Sequence, residues 1–356
     1  MQRRFTVLTL LSLALGGLIN AADRAGTVTI LTQNMDAGTD QTYIVAAALN
    51  LIPGFTVADA VDLTAQELQA SYIEQRADVL AAKIAEKQPD LVSLQEVTRW
   101  QIDVTSPIAA SIVYDQLEFL LTALGAHGVP YEVVALNNVD DVTLPGKQVS
   151  AVRFTDRDVL LVRSGLGPPD LHFSDVHTHT FGAVFNFAGL PISAGWISAD
   201  VHMGNRHFFL VTTHLGSPIP GIPEATDIQV AQAQELIHEL RNTQIPVVIC
   251  GDFNSDANGG HFVDDTPTAG IIQVAGYPEV WPLTHGSSDP GLTWPYYFED
   301  LFPPPPFMVP SAPFERIDLF FERGMQVISS DLMIAPTNAI PPDASDHAGV
   351  IAVFRP

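Results

Sequence analysis

Asp252 and Asn254 stand two residues apart just after the apolar run Val247 to Cys250, in V-V-I-C-G-D-F-N-S-D. Four consecutive apolar residues suit a buried strand, and Gly251 breaks the run. At the end of a strand, spacing of i and i+2 aims both side chains the same way. A carboxylate and an amide then emerge together at a sheet edge, where loops carry function. Asn34, Glu96, His214, Asp318 and the pair Asp346-His347 share that position: each lies in, at the end of, or just before an apolar run. A lone Asp or Asn at a strand end is ordinarily a turn cap. Seven such sites, rich in acids, amides and histidines, argue for more than capping. If they converge, up to four carboxylates share one pocket, which is costly unless a cation binds. Oxygen ligands without thiolates suit Mg²⁺, Mn²⁺ or Ca²⁺ better than zinc.

The elements that would position these residues follow from the hydrophobic pattern. Thr27 to Leu31 reads as a strand entering Thr32-Gln33-Asn34, and Asp90 to Gln95 as a short apolar strand delivering Glu96. Between them, Met35 to Thr64 is irregular but apolar, either a helical cap over a site or peripheral packing. Thr64 to Lys87 reads as one helix, opened by a capping box of Thr64 with Glu67 and ended by Pro89. Further on come a helix over Tyr114 to Leu124, a strand over Tyr131 to Leu136, a polar loop from Asn137 to Gly146 and a strand over Asp158 to Val162. Trp196 to Met203 and His207 to Thr213 form a hairpin through Gly204-Asn205. Thr226 to Leu240 is helical, and Pro246 starts the central strand. Val280 to Pro313, rich in proline and aromatics, reads as an extended surface loop. Ile317 to Phe321 and Val350 to Phe354 are the last strands. Many strands with few helices favour an α/β layered sandwich over a Rossmann arrangement.

Composition bounds the rest. The 356 residues permit one large core, with no fixed-period repeat and no long linker. Met1 to Ala22 has a basic start at Arg3 and Arg4 and an apolar stretch from Phe5 to Ile19, the pattern of a secretory signal and short for a membrane span. One catalytic domain over residues 23–356, secreted or periplasmic after cleavage near Ala22, is therefore expected. An uncleaved anchor is the alternative. Cleavage leaves 14 Lys and Arg against 40 Asp and Glu, a formal charge of −26 where the full chain has −24. Such a surface repels polyanions at long range, although bound divalent cations can reverse the local sign. No Lys/Arg cluster offers a nucleic-acid footprint. Cys250 is the single cysteine, so an internal disulfide is excluded, and its apolar run marks it as a buried small hydrophobe.

The order of motifs resembles the endonuclease/exonuclease/phosphatase superfamily, whose members include deoxyribonucleases, apurinic endonucleases, bacterial sphingomyelinases and inositol-polyphosphate 5-phosphatases. The matching text is T-Q-N-M at Thr32, L-Q-E-V at Leu94, T-T-H-L at Thr212, G-D-F-N at Gly251, R-I-D-L at Arg316 and S-D-H at Ser345. Each motif is weak alone; six in family order, spanning Val28 to the end, are not. The resemblance implies a four-layered α/β sandwich, two mainly antiparallel sheets packed face to face with outer helices. It also implies metal-assisted attack of water on a phosphoester. Glu96 would hold the divalent metal, with Asn34 touching metal or phosphate and Asp346 binding or orienting a metal. Asp252 and Asn254 would position water and phosphate, Asp252 being one candidate base. His347 would face the scissile phosphate, with Asp318 orienting its ring. The T-H-L context of His214 resembles the sphingomyelinase, deadenylase and 5-phosphatase branches, so His214 would touch a phosphate oxygen or protonate the leaving group. On its own, a buried structural histidine is the better reading of that residue.

Other positions divide evenly or lean to packing. Arg157 in T-D-R-D-V either faces substrate or makes a surface ion pair. Trp294 in G-L-T-W either lies near substrate or packs in the core. His172, His177, His179 and His202 lack a firm metal-ligand spacing and read as a solvated loop. Leu301 to Pro313 brings five apolar side chains that could touch a membrane transiently or pack on the surface. Substrate is the open question. Phospholipid or another small phosphoester is favoured by charge and by T-H-L. An extracellular nuclease is the alternative, and a non-catalytic binding protein on the same fold is the third reading.

Overall fold

The protein is described from a computed structural model, covering residues 26–39, 41–105, 110–165, 171–187, 189–219, 221–259, 266–295, 313–333 and 344–356. The expected signal at Met1 to Ala22 and the apolar stretch from Leu301 lie outside the described residues, Pro313 excepted. No helix among the described residues is long and apolar enough to cross a membrane.

In chain order the first half comprises β1 (Val28–Asn34), α1 (Thr42–Ala48), α2 (Val57–Ala70), α3 (Ile73–Lys87), β2 (Leu91–Gln95), β3 (Arg99–Val104), β4 (Ile112–Asp115), α4 (Gln116–Ala126), β5 (Tyr131–Leu144), β6 (Val149–Arg163) and β7 (Leu171–Thr180). The second comprises β8 (Phe185–Phe187), β9 (Leu190–Ile192), β10 (Gly195–Met203), β11 (Arg206–His214), α5 (Pro223–Leu240), β12 (Val247–Asp252), α6 (Thr268–Val274), α7 (Val280–His285), β13 (Asp318–Arg323), β14 (Gln326–Met333) and β15 (Gly349–Arg355). One sheet runs β14-β15-β1-β2-β6-β3-β4, with β5 added to β6; the other runs β13-β12-β11-β10-β7. Pairing is antiparallel except for two parallel neighbours, β1 with β2 and β11 with β12.

Strand alternation explains why the central strands are continuously apolar: both of their faces are buried. Ile30, Leu91 and Leu160 of the first sheet meet Ile197, Leu210, Val248 and Cys250 of the second in the central core. Their immediate neighbours Leu31, Val92 and Leu161 turn outward onto Leu80 and Ile84 of α3 and Leu120 of α4. On the far side, Val247 and Ile249 turn outward onto Leu236 and Leu240 of α5 and Ile272 of α6. The result is helices, sheet, sheet, helices, the layered α/β sandwich expected from the sequence. Cys250 is fully buried in the central core, and that burial pushes its thiol up to about 12.

Several boundaries differ from expectation. The capping box lies eight residues earlier, at Thr56 and Asp59, where each side chain bonds the other's backbone N–H at 3.3 and 3.0 Å. Thr64 and Glu67 are buried inside α2, and Glu67 accepts the Thr39 hydroxyl. The single long helix is two, because Tyr72 takes a left-handed conformation (φ 53°) between α2 and α3. The segment from Asn137, read as a polar loop, is the second half of β5, paired with β6 along most of its length. Its polar residues, the half-buried Asp140 that accepts the Ser193 N–H and the exposed Asp141 among them, hide the strand pattern. The segment from Met35 to Thr64 holds α1 and the start of α2, and α7 opens the proline-rich segment. β7 and β14 are edge strands that the hydrophobic pattern did not reveal.

Candidate active site

The two parallel strand pairs end side by side, and the reactive residues sit at those ends. Asn34 closes β1, and Glu96 follows β2 directly. In the facing sheet, register places His214 of β11, Asp252 of β12 and Asp318 of β13 in one row across three strands. Gly251 permits the row: its φ is 149°, and a Cβ there would lie 1.8 Å from the Thr213 carbonyl oxygen. Glu96 and Asn254 both adopt left-handed backbone conformations, φ 52° and 47°. Such conformations cost about 1–3 kcal/mol each and collect at functional sites.

Asp252 is the hub. Its Oδ1 accepts the Asn254 N–H at 2.8 Å, which fixes the turn after β12. Its Oδ2 accepts the Asn34 amide at 2.9 Å. The same oxygen lies 3.8 Å from His214 Nε2 and 3.9 Å from His347 Nε2, beyond hydrogen-bond reach of either. Two imidazole tips thus converge on one carboxylate oxygen. His347 is oriented from behind by Asp318, whose Oδ2 meets Nδ1 at 2.9 Å, as the sequence resemblance implied. Asp318 is itself held by Thr293, whose hydroxyl accepts the N–H groups of Ile317 and Asp318. Trp294, the next residue, donates its indole N–H to Asp346 Oδ2 at 3.0 Å, and its ring lies 6.3 Å from that of His347. Trp294 therefore belongs to the site's wall.

Asn34 differs in orientation from a direct metal ligand. Its amide nitrogen bonds Glu96 Oε1 and Asp252 Oδ2, both at 2.9 Å, while its oxygen accepts the Asp36 N–H. It aligns the two carboxylates. Asn254 also turns its amide nitrogen away from Asp252, to the Leu215 carbonyl. Arg157 is a correction. It is buried, bonds Asp115 at 2.7 Å and the carbonyls of Val97 and Thr98, and alternates in β6 with Asp156 and Asp158. Those two carboxyls share their field with His214, so Arg157 points to the opposite face of the strand and is neither a surface ion pair nor a substrate contact.

Asp156 and Asp158 themselves are the residues the sequence reading passed over. Asp158 directly precedes the apolar run Val159 to Val162, as Asp318 precedes Leu319 to Phe321, so a signal for it is present in the sequence. Both of its carboxylate oxygens are buried without a hydrogen-bond partner, and burial pushes the acid well above the usual carboxylate range. Burial likewise lifts Asp156 to about 6. Arg76 of α3 is a second omission. It bonds the carbonyls of Met35 and Ala344 and pairs with Asp36 at 3.1 Å, tying the loop after Asn34 to the segment before Asp346.

The electrostatics follow from crowding. Burial alone would lower His214, but Asp252, Asp158, Glu96 and Asp156 outweigh it and raise the ring to about 9. Burial is overcome at His347 in the same way, by Asp318 and Asp346. Burial raises Asp346 to about 7, with Asp36 and Glu96 pushing in the same direction. Glu96, His214 and Asp252 bring one ligand atom each within 4.8 Å of one another, and so do Asp252, Asp318 and His347. Surplus carboxylates with an orphaned Asp318 Oδ1 fit a hard divalent cation.

The sequence profile of the Endonuclease/Exonuclease/phosphatase family matches residues 68–347. The chain belongs to this family. Its members are metal-dependent phosphoesterases and nucleases, and the chain is accordingly a phosphoric ester hydrolase that depends on a divalent metal. Among solved structures it is similar to an endonuclease/exonuclease/phosphatase from Beutenbergia cavernae DSM 12333, at 19% identity and a TM-score of 0.57, covering 92% of this chain and 71% of that one. A family protein from Leptotrichia buccalis C-1013-b aligns at 16% identity and 0.52, covering 91% and 98%. TDP2 from D. rerio, complexed with single-strand DNA product, aligns at 14% identity and 0.53, covering 93% and 99%. These likenesses are of fold. No curated protein sequence matches the chain.

Proposed function

We propose that this family hydrolase is a secreted, Mg²⁺-dependent phosphoesterase acting on a phospholipid headgroup or another small phosphoester. The observation that carries the chemistry is the approach of His214 Nε2 and His347 Nε2 to one oxygen of Asp252, at 3.8 and 3.9 Å. A tetrahedral phosphoryl group needs donors on its outer oxygens and an acceptor for the proton of the incoming water. Here two protonated rings supply the donors and Asp252 Oδ2 the acceptor. Glu96 and Asp252 would hold the metal, which stabilises developing negative charge when bound. Asn34 keeps those carboxylates aligned. Asp252 takes the proton of the attacking water as the new P–O bond forms. An imidazolium returns a proton to the leaving oxygen as the old bond breaks. Asp318 holds the His347 ring with Nε2 aimed inward. Asp346 and Trp294 close the wall beside it.

The choice of substrate rests on charge. A chain with formal charge −24 and 16 Lys and Arg in all disfavours a long polyanion and leaves a small or lipid-borne ester. A nuclease is the second reading, favoured by the fold shared with the DNA-product complex of D. rerio TDP2. The test is phosphorus NMR of the purified protein with Mg²⁺, DNA fragments and vesicles of sphingomyelin or phosphatidylinositol, with His347→Ala as control. A released phosphorylated headgroup supports the lipid reading. New nucleotide signals alone replace it with the nuclease. Turnover that survives in His347→Ala refutes the site.

A further inference from the structure

The outer face of the second sheet carries five histidines, and the catalytic groove uses none of them. His172, His177 and His179 lie on β7, His202 on β10 and His207 on β11. Register puts them on one face: His202 stands opposite both His172 and His207, and His179 stands opposite Trp196. The intervening residues Ala199, Val201 and Met203 fill the central core, so this face points away from the other sheet. Near α5 the histidines are engaged in packing, with the His179 ring stacked on Trp196 at 4.5 Å. Toward the Gly204-Asn205 turn the face opens.

There, Asp200, His202 and His207 bring one ligand atom each within 4.8 Å of one another. His207 Nδ1 lies 3.3 Å and His202 Nε2 3.8 Å from the same oxygen, Asp200 Oδ1. That oxygen and His207 Nδ1 are both shielded from solvent, and neither has a hydrogen-bond partner. Two orphaned polar atoms facing one another are costly as they stand, and a shared cation would satisfy both. Four ligands about 2.0–2.1 Å from a tetrahedral ion lie roughly 3.3 Å apart. The His207–Asp200 separation of 3.3 Å matches that, while His202 Nε2, which also meets Ser174 Oγ at 2.9 Å, stands wider at 3.8 Å and would turn inward on binding. Two imidazoles with one carboxylate suit zinc and its transition-metal neighbours, unlike the oxygen-rich catalytic groove. Exposures of 19, 38 and 43% for Asp200, His202 and His207 leave an entry path and room for water as a further ligand.

We propose that Asp200, His202 and His207 form a second metal site, selective for a zinc-type ion, that clips β10 to β11 at the end remote from catalysis. His207 and His214 are seven residues apart in β11, about 24 Å at ~3.4 Å per residue, and face opposite sides of the sheet. The experiment titrates Co²⁺ into the full protein held in excess Mg²⁺, reads the visible absorption of four-coordinate cobalt, and then displaces it with Zn²⁺. Binding of one ion per chain with that spectrum is expected, lost in His207→Ala and in His202→Asn, and kept in Glu96→Gln. Circular dichroism checks that each variant is folded. Mg²⁺-supported hydrolysis in His207→Ala should match the parent. The proposal is overturned if the parent shows no four-coordinate spectrum, if the spectrum persists in His207→Ala, or if it vanishes in Glu96→Gln, which would put the ion in the catalytic groove.

Discussion

Replacing Asp318 by Asn changes one atom and tests the central pair. The carboxylate is fully buried and meets His347 Nδ1 at 2.9 Å. Opposite unit charges with centres ~4 Å apart interact by about 4 kcal/mol at an effective dielectric near 20, which is the ceiling. A charge-assisted hydrogen bond contributes about 1.5–3 kcal/mol, which is the floor. At about 1.4 kcal/mol per decade, Asp318→Asn should lower kcat/KM by roughly 10- to 10³-fold. The loss should fall on kcat, since the imidazolium matters most as charge develops on the phosphoryl group. His347 loses the neighbour that most favours its proton, so the limb of the pH–rate profile that requires protonated His347 moves to lower pH. The assay is hydrolysis of an activated phosphodiester with saturating Mg²⁺, combined with a cycle. In a His347→Ala background, Asp318→Asn should cost less than about twofold further, because its effect runs through the ring. A loss smaller than tenfold in the folded single variant, or full additivity in the cycle, would refute the assignment of Asp318 as the residue that orients His347.

Four other outcomes are expected. Thorough chelation with EDTA should abolish hydrolysis, and Mg²⁺, Mn²⁺ or Ca²⁺ should restore it; full activity in the chelated protein would defeat the divalent-metal chemistry. Arg157→Met should destabilise by about 3 kcal/mol in urea titration, since Asp115 loses its buried partner, while the folded protein keeps its kcat/KM. A selective loss of turnover there would return Arg157 to the substrate. Gly251→Ala forces a Cβ to 1.8 Å from the Thr213 carbonyl oxygen and should cost at least ~3 kcal/mol, seen as loss of cooperative unfolding or of soluble protein. Cys250, buried and pushed up to about 12, should resist thiol reagents in the native state and react only on unfolding; rapid native labelling would contradict its place between the sheets.

Legibility in the sequence followed burial. Runs such as Val247 to Cys250 and Leu91 to Leu94 are apolar because both faces of their strands are covered, and the residues ending them, Asp252 and Glu96, stood out against that background. The second half of β5 and the whole of β7 were illegible for the converse reason. They lie at or near sheet edges, half their side chains face water, and the polar half masks the alternation. The histidines of β7 and β10 consequently read as a loop without a ligand pattern, although pairing brings them together across strands rather than along the chain. Arg157 failed differently. Its sequence neighbours Asp156 and Asp158 reach the site, and alternation within one strand is what separates it from them.

The carboxylate surplus explains why the site needs so much scaffolding. Glu96, Asp252, Asp318 and Asp346 would repel one another if left bare, and burial weakens the solvent that could screen them. Each is therefore held by a neutral or positive donor: Asn34 and the Ala37 N–H at Glu96, Asn34 and the Asn254 N–H at Asp252, the His347 ring at Asp318, and the Trp294 indole at Asp346. Arg76 anchors the loop that carries the Ala37 N–H. Asp158 has no such donor on either carboxylate oxygen, and Asp156 accepts the Arg157 N–H at 2.8 Å; burial raises both acids, so the nearby charge they present to His214 varies with pH. Folded-state acids raised in this way favour the native state at low pH, and that contribution is lost as pH rises through the folded value. For Asp156 the loss runs from about 4 to about 6, a window in which Asp156→Asn should flatten the fall in stability seen by urea titration at successive pH values. An unchanged pH profile in that variant would mean that water or a cation already satisfies the carboxylate.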